Sequence, residues 1–128
     1  MEVNDGWQAI GYMKCVVESI ARVTLEINGT PGAPEKFESN VKTAHELLRS
    51  QPGRELAHED PFGTMATQAS KMAIALARAR NEYGSGHGKP RVPQLAQEMV
   101  VLALDGGPLW SRWALRRLGF FVEGRPEP

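Results

Sequence analysis

The sequence predicts an all-α protein, an up-and-down four-helix bundle with a short extra C-terminal helix. Four segments carry apolar residues at intervals of three and four, which is the period of a helix with one buried face. Clusters of glycine and proline separate these segments, and none shows the strict alternation of a half-buried strand. At 128 residues the chain is long enough for a core of its own, and we expect residues 1–128 to form a single domain.

The first helix is predicted from Trp7 to Ile27, where charges of alternating sign lie opposite an apolar face. That apolar face comprises Ile10, Met13, Val17, Ile20, Thr24 and Ile27, widened by Val16 and Val23. Gly11 interrupts the pattern and indicates a close helix crossing. Cys15 is the single cysteine, so no intramolecular disulfide can form, and we expect a small buried or half-buried residue there.

The second helix is expected to open at Pro34, after a segment rich in glycine and proline, and to end before Gln51. Its apolar face consists of Phe37, Val41, Ala44 and Leu48. His45 lies one position from this face, which favours a solvated or boundary histidine over a catalytic one. His58 follows among acidic residues, without the spacing of metal ligands.

The third helix is predicted to start at Pro61 or Thr64 and to end at Tyr83, with Asp60 as the N-cap of a start at Pro61. It is rich in alanine, which lets a neighbouring helix pack closely. One face carries Met65, Ala69, Met72, Leu76, Arg80 and Tyr83. Arg80 thus continues an apolar stripe with a permanent charge. We expect it to meet a carboxylate, a group of carbonyls or an anionic ligand in a cleft.

The fourth helix is predicted to start at Pro93 and to break at Asp105, with Leu95, Met99 and Leu102 on one face. A last helix, Leu109 to Leu118, carries two tryptophans among three arginines. Such a group can stack on nucleic acid and bind phosphate. More often the tryptophans close the end of a bundle or an oligomer interface, and we favour that interpretation.

The charge distribution distinguishes the two halves of the chain. Residues 1–63 carry 10 acidic and 6 basic residues, whereas residues 64–128 carry 5 and 9. The basic half is compatible with an anionic partner. No stretch is long and apolar enough for a membrane span, and the acidic N-terminus is unlike a signal peptide, so we expect a cytoplasmic protein.

The segment that ends the third helix reads Ala-Arg-Asn-Glu-Tyr-Gly-Ser-Gly-His-Gly-Lys, and its glycines allow close approach of another molecule. An arginine, a polar residue after it and a histidine shortly beyond, here Arg80, Asn81 and His87, resemble the motif of the HEPN superfamily. The longer string Arg-Asn-x-x-Gly-x-Gly-His-Gly resembles the C-terminal domain of bacterial abortive-infection proteins. It is not a phosphate loop, because Tyr83 and Pro90 occupy positions that would need glycine and a hydroxyl.

The resemblance implies a metal-independent endoribonuclease of a bacterial defence, toxin–antitoxin or abortive-infection system, active as a homodimer and without a cofactor. Arg80, Asn81 and His87 are then the catalytic candidates at a composite cleft. A histidine can accept and return a proton near neutral pH, and an arginine can stabilise the charge of a phosphoryl transition state. Candidate RNA-binding cations are Lys89, Arg91 and Arg78. Exposed apolar residues on the third and fourth helices would form the dimer interface.

Two other interpretations stay open. A catalytically inactive HEPN-like module would dimerise or bind a regulatory partner, such as an antitoxin or another defence-system protein. Alternatively, Arg80 satisfies carbonyls at the end of its helix and His87 is an ordinary loop histidine. A DNA-binding domain would need helix-turn-helix spacing, which the sequence lacks.

Overall fold

The computed structural model describes residues 3–33, 35–83 and 93–123, which are organised as five α-helices with no strand in these ranges. In chain order the helices are α1 (Val3–Ile27), α2 (Phe37–Arg49), α3 (Pro61–Tyr83), α4 (Pro93–Gly106) and α5 (Leu109–Glu123). The predicted all-α class is confirmed. None of the helices described is long and apolar enough to span a membrane.

Three helix bounds differ from the prediction: α1 begins at Val3 instead of Trp7, α2 begins later than expected, and α5 continues past Leu118 to Glu123. The Asp60 carboxylate accepts a hydrogen bond from the Phe62 N–H at 2.8 Å, so Asp60 caps α3 as predicted. The second helix begins at Phe37 and not at Pro34. The Lys36 N–H donates to the Ala33 carbonyl at 3.0 Å, and the backbone therefore makes a turn before the helix starts.

The helix α1 lies at the centre and packs against each of the other four helices. Its C-terminal half joins α2, α3 and α5 in a cluster of Val17, Ile20, Ala21, Val41, Ala44, Leu48, Ala73, Ile74, Trp110, Ala114 and Leu118. Its N-terminal half meets α3 and α4 in a second cluster of Trp7, Ile10, Leu76 and Val100. A Cβ at Gly6 would stand 2.3 Å from Val100 Cγ1, so the close crossing of α1 and α4 falls at Gly6.

The helices α2 and α3 run in opposite directions. Glu38, at the start of α2, forms an ion pair with Arg78 near the end of α3. His45, two turns further along α2, contacts Thr67 in the first half of α3. This arrangement places the N-terminus of α2 beside the end of α3, where the Arg80–Asn81 pair lies.

The helix α5 closes the bundle end formed by α2 and the segment after it. Trp110 is fully buried, as expected for a tryptophan that closes the end of a bundle. The Arg117 guanidinium is also buried and donates to the carbonyls of Leu48 and Arg54 at 3.2 and 2.6 Å. In return, the Gln51 side-chain amide donates to the Arg117 carbonyl at 2.7 Å. These bonds join the end of α2 to α5.

Val16 and Ile27, on the predicted apolar face of α1, are exposed, and two further positions also differ from the sequence expectation. Cys15 is exposed, because α1 turns this side toward solvent between its two core clusters. His45 is buried, with only 3% of its surface exposed, and not solvated. The Trp110 indole N–H donates to His45 Nδ1 at 3.2 Å, so Nε2 carries the proton of the neutral ring and faces the Thr67 hydroxyl at 3.2 Å. The contact with α5 accounts for the burial.

We expect the buried His45 to make the fold sensitive to acid. Burial lowers the pKa of His45 from 6.5 to about 4. Between these values the unfolded chain binds a proton that the folded chain does not, so stability is full above pH 6.5 and falls as the pH drops toward 4. One pKa unit corresponds to about 1.4 kcal/mol, and the loss should therefore approach about 3 kcal/mol.

Urea denaturation at a series of pH values between 7 and 4 would measure this slope, with His45→Gln as the variant that removes the titration. The pKa of Glu46 is lowered from 4.5 by its hydrogen bond with Arg49. The stability that Glu46 contributes is therefore lost only at the acidic end of this pH range. Equal slopes for the wild type and His45→Gln would contradict the assignment to His45.

Candidate functional site

The Arg80–Asn81 pair occupies the last turn of α3. His87, Lys89 and Arg91 lie outside the described residues, so the structure places only Arg80, Asn81 and Arg78 of the predicted site residues. These three lie within one turn of the same helix. The geometry of the site is therefore built from the end of α3 and from the helices beside it.

Arg80 is exposed and lies across α1 at Gly11. A Cβ at Gly11 would stand 3.8 Å from Arg80 Nε, so the guanidinium stem passes over the helix where no side chain projects. One turn earlier, Leu76 is buried in the second core cluster. Within residues 3–33, 35–83 and 93–123, no hydrogen bond or ion pair is formed by the Arg80 guanidinium. The N–H groups of the Arg80 guanidinium have no partner among these residues and can therefore bind a ligand.

The residues on either side of Arg80 line two different grooves. Asn81 lines a groove of about 600 Å³ between α1, α2 and α3, here called the polar groove, whose walls include Lys14, Glu18, Phe37, Glu38 and Arg78. Ala79 lines a groove of about 440 Å³ between α3 and α4, here called the apolar groove, whose walls include Met72, Ala75, Leu76, Met99 and Leu102. Arg80 thus marks the boundary between a charged surface and an apolar one.

In the polar groove, Arg78 pairs with a carboxylate. Glu38 accepts hydrogen bonds from both Lys42 and Arg78, and these two bonds lower the pKa of its carboxyl. Arg78 stands one turn from Asn81 on the same side of α3. The structure therefore brings Arg78, a candidate RNA-binding cation, close to Asn81, and Glu38 on α2 balances its charge.

The apolar groove is continuous with exposed apolar side chains. Met65 is 64% exposed, Met72 37% and Leu102 67%. The sequence placed Met65 and Met72 on one apolar face of α3, and the structure leaves both outside the core while Leu76 is buried. Exposed apolar residues on α3 and α4 are what a dimer interface there requires.

Comparison with known protein families identifies the chain. A family model described as HEPN-like domain (Abi_C) matches residues 2–106. The chain belongs to the HEPN-like Abi_C family. This confirms the predicted resemblance to the HEPN superfamily, and the roles of Arg80, Asn81 and His87 stay predictions. No curated protein and no solved structure matches the chain.

The HEPN-like match ends just before α5. Even so, α5 supplies Trp110, Ala114 and Leu118 to the main core cluster. In this HEPN-like protein, a helix beyond the matched region therefore completes the packing of α2 and α3.

Sequence reasoning missed the neighbours that other helices bring to the motif. Lys14 on α1 and Phe37 on α2 share the polar groove with Asn81, although they are more than forty residues away in sequence. The one available signal was Gly11, which interrupts a strong helical pattern and lies under Arg80.

Proposed function

We propose that this HEPN-like protein is a metal-independent endoribonuclease of a bacterial defence, toxin–antitoxin or abortive-infection system, and that it acts as a homodimer. The observation that carries the proposal is Arg80, which is exposed at the end of α3, next to Asn81 and without a hydrogen bond or ion pair in the described ranges. A forked, permanently charged donor in this position suits a phosphate group.

The proposed chemistry needs only proton transfer and charge stabilisation. His87 takes the proton of a ribose 2′-hydroxyl, and the 2′-oxygen attacks the adjacent phosphorus. The bond from phosphorus to the 5′-oxygen breaks, and His87 returns the proton to that oxygen. Arg80 stabilises the charge on the phosphoryl oxygens, and the Asn81 amide orients His87 or donates to phosphate. The products are a 2′,3′-cyclic phosphate and a 5′-hydroxyl. Lys89 and Arg91 are proposed to hold the RNA backbone. Arg78, predicted with them, is paired with Glu38 and lines the polar groove instead.

The apolar groove supports the homodimer. Its wall includes Ala79, the neighbour of Arg80, so a second copy seated on α3 and α4 would bring two Arg80 side chains to one cleft. Met72 and Leu102 would be covered by this contact, which would remove their exposed apolar surface from water.

We expect Leu102→Glu to weaken the dimer by at least about a hundredfold, because the change removes buried apolar surface and buries an unpaired charge in both copies. Sedimentation equilibrium would measure the dissociation constant. The matched control is Leu115→Glu, since Leu115 on α5 is 52% exposed and lies away from this groove. A dimer unchanged by Leu102→Glu would place the interface on another surface.

The function is tested by incubating a mixed RNA substrate with the purified protein in EDTA. We expect the wild type to cut and His87→Ala to be inactive, with its fold checked by circular dichroism. Arg22→Ala is the control for loss of one exposed cation on α1, and it should retain activity. A dimeric wild type that cuts none of several RNAs would refute the nuclease.

The second candidate is a HEPN-like module without catalysis, which dimerises or binds an antitoxin or another defence-system protein. The apolar groove is the observation that favours it, because a binding module needs this face and not the exposed Arg80. The EDTA assay distinguishes the two candidates. A nuclease cuts RNA and loses this activity in His87→Ala, whereas a binding module cuts no RNA in either form.

A further inference from the structure

We propose that the polar groove is the binding site for an RNA base next to the cleaved phosphate. The inference rests on the proposed ribonuclease function and adds to it the site that recognises a base of the RNA substrate. Three observations carry it: the position of the groove, its balanced charge and its aromatic wall.

The groove begins where the motif ends. On α3, Asn81 lines the groove and directly follows Arg80. On α1, Gly11 lies under Arg80, and Lys14, one turn further along, lines the groove. A phosphate bound to Arg80 would therefore have the groove beside it on two helices.

The charge of the groove favours a neutral ligand. Its lining includes three cations, Lys14, Lys36 and Arg78, and three carboxylates, Glu18, Glu35 and Glu38. Lys14 pairs with Glu18 at 3.3 Å, and Arg78 pairs with Glu38. A second phosphate would gain little from this balanced set and would meet the carboxylates. A base is uncharged and can pair with both kinds of group.

The walls of the groove fit a flat heterocycle. Phe37 is half-buried and packs against the main core cluster, and Lys14 Nζ lies 5.7 Å from its ring centroid. Ile74 and Ala77 supply apolar surface opposite the polar rim. The Asn81 amide offers both a donor and an acceptor to a base edge. Stacking on an aromatic ring with hydrogen bonds to the edge is the usual recognition of unpaired RNA bases.

A binding measurement tests the groove independently of cleavage. A 2′-deoxy oligonucleotide lacks the nucleophile, so its titration into ¹⁵N-labelled protein reports binding without turnover. We expect the backbone amide signals of Ser39 and Ala77 to shift. Phe37→Leu, which keeps apolar volume without the ring, should bind about tenfold more weakly. Phe62→Leu is the control, since Phe62 is 70% exposed at the other end of α3.

Cleavage of a randomised RNA gives the second readout. We expect Phe37→Leu to keep cutting but to lose the wild-type preference among bases next to the cut, with the loss in KM larger than that in kcat. Ser39→Leu narrows the groove from its exposed rim and should also reduce the base preference and raise KM. It provides the test if Phe37→Leu folds poorly.

The two proposals fail in different ways. If the wild type cuts RNA and both groove variants keep its affinity and base preference, the groove is not a base site and the nuclease stands. If the wild type does not cut, the nuclease fails. Shifts at Arg80 without shifts at Ser39 or Ala77 would overturn the base site in either case.

Discussion

Alanine in place of Arg80 is expected to lower the rate of RNA cleavage about a hundredfold to a thousandfold while the fold persists. The rate falls because the transition state loses a charged donor at the phosphoryl oxygens. The fold persists because the Arg80 side chain is exposed and its guanidinium forms no hydrogen bond or ion pair with a described residue. Single-turnover cleavage at saturating protein separates this chemical step from RNA binding.

Arg80→Lys sharpens this prediction, because lysine keeps the charge and loses the fork that binds two oxygens at once. We expect its rate to lie between those of Arg80→Ala and the wild type. Arg22→Ala is again the control for net charge. Cleavage by Arg80→Ala within a few-fold of the wild type would remove Arg80 from the mechanism.

Trp110→Ala is expected to destabilise the protein by about 3–5 kcal/mol, the usual cost of removing a buried indole. Trp110 is fully buried among residues of α1, α2 and α3, and its N–H donates to His45. The variant therefore opens a cavity and also leaves His45 Nδ1 without its donor. Urea denaturation followed by circular dichroism would measure the loss.

The same measurement tests our proposal that α5 and the HEPN-like region form one domain. We expect one unfolding transition for the wild type and a single shifted transition for Trp110→Ala. Trp110→Phe keeps most of the apolar contact and should cost less. A change below about 1 kcal/mol in Trp110→Ala would mean that α5 adds little to the core.

The helices themselves were largely predictable, because their signals are local. The capping carboxylate of Asp60 and the apolar period of α1 both act within a few residues. His45 could not be placed in this way, because its burial depends on Trp110, which is 65 residues later in the chain. Periodicity also placed Met72 on the apolar face of α3. It could not show that Met72 is exposed, because buried and exposed apolar residues give the same pattern.

The candidate site was predictable in its motif and not in its surroundings. Arg80 and Asn81 are recognisable because the motif is continuous in sequence, and His87 stays a prediction. The walls of the polar groove come from α1 and α2, and Lys14 and Phe37 meet Asn81 only after the helices pack. The sequence pattern of a single helix cannot predict these contacts between helices.

The chemical ends of the cleaved RNA report most directly on how the proposed nuclease cuts. RNA cleaved by the protein in EDTA should carry a 2′,3′-cyclic phosphate on one fragment and a 5′-hydroxyl on the other, because the proposed nucleophile is the 2′-oxygen. A substrate with 2′-deoxyribose on the 5′ side of the cut should stay intact. Fragments with 5′-phosphate and 3′-hydroxyl ends, or cleavage of the deoxy substrate, would contradict the mechanism.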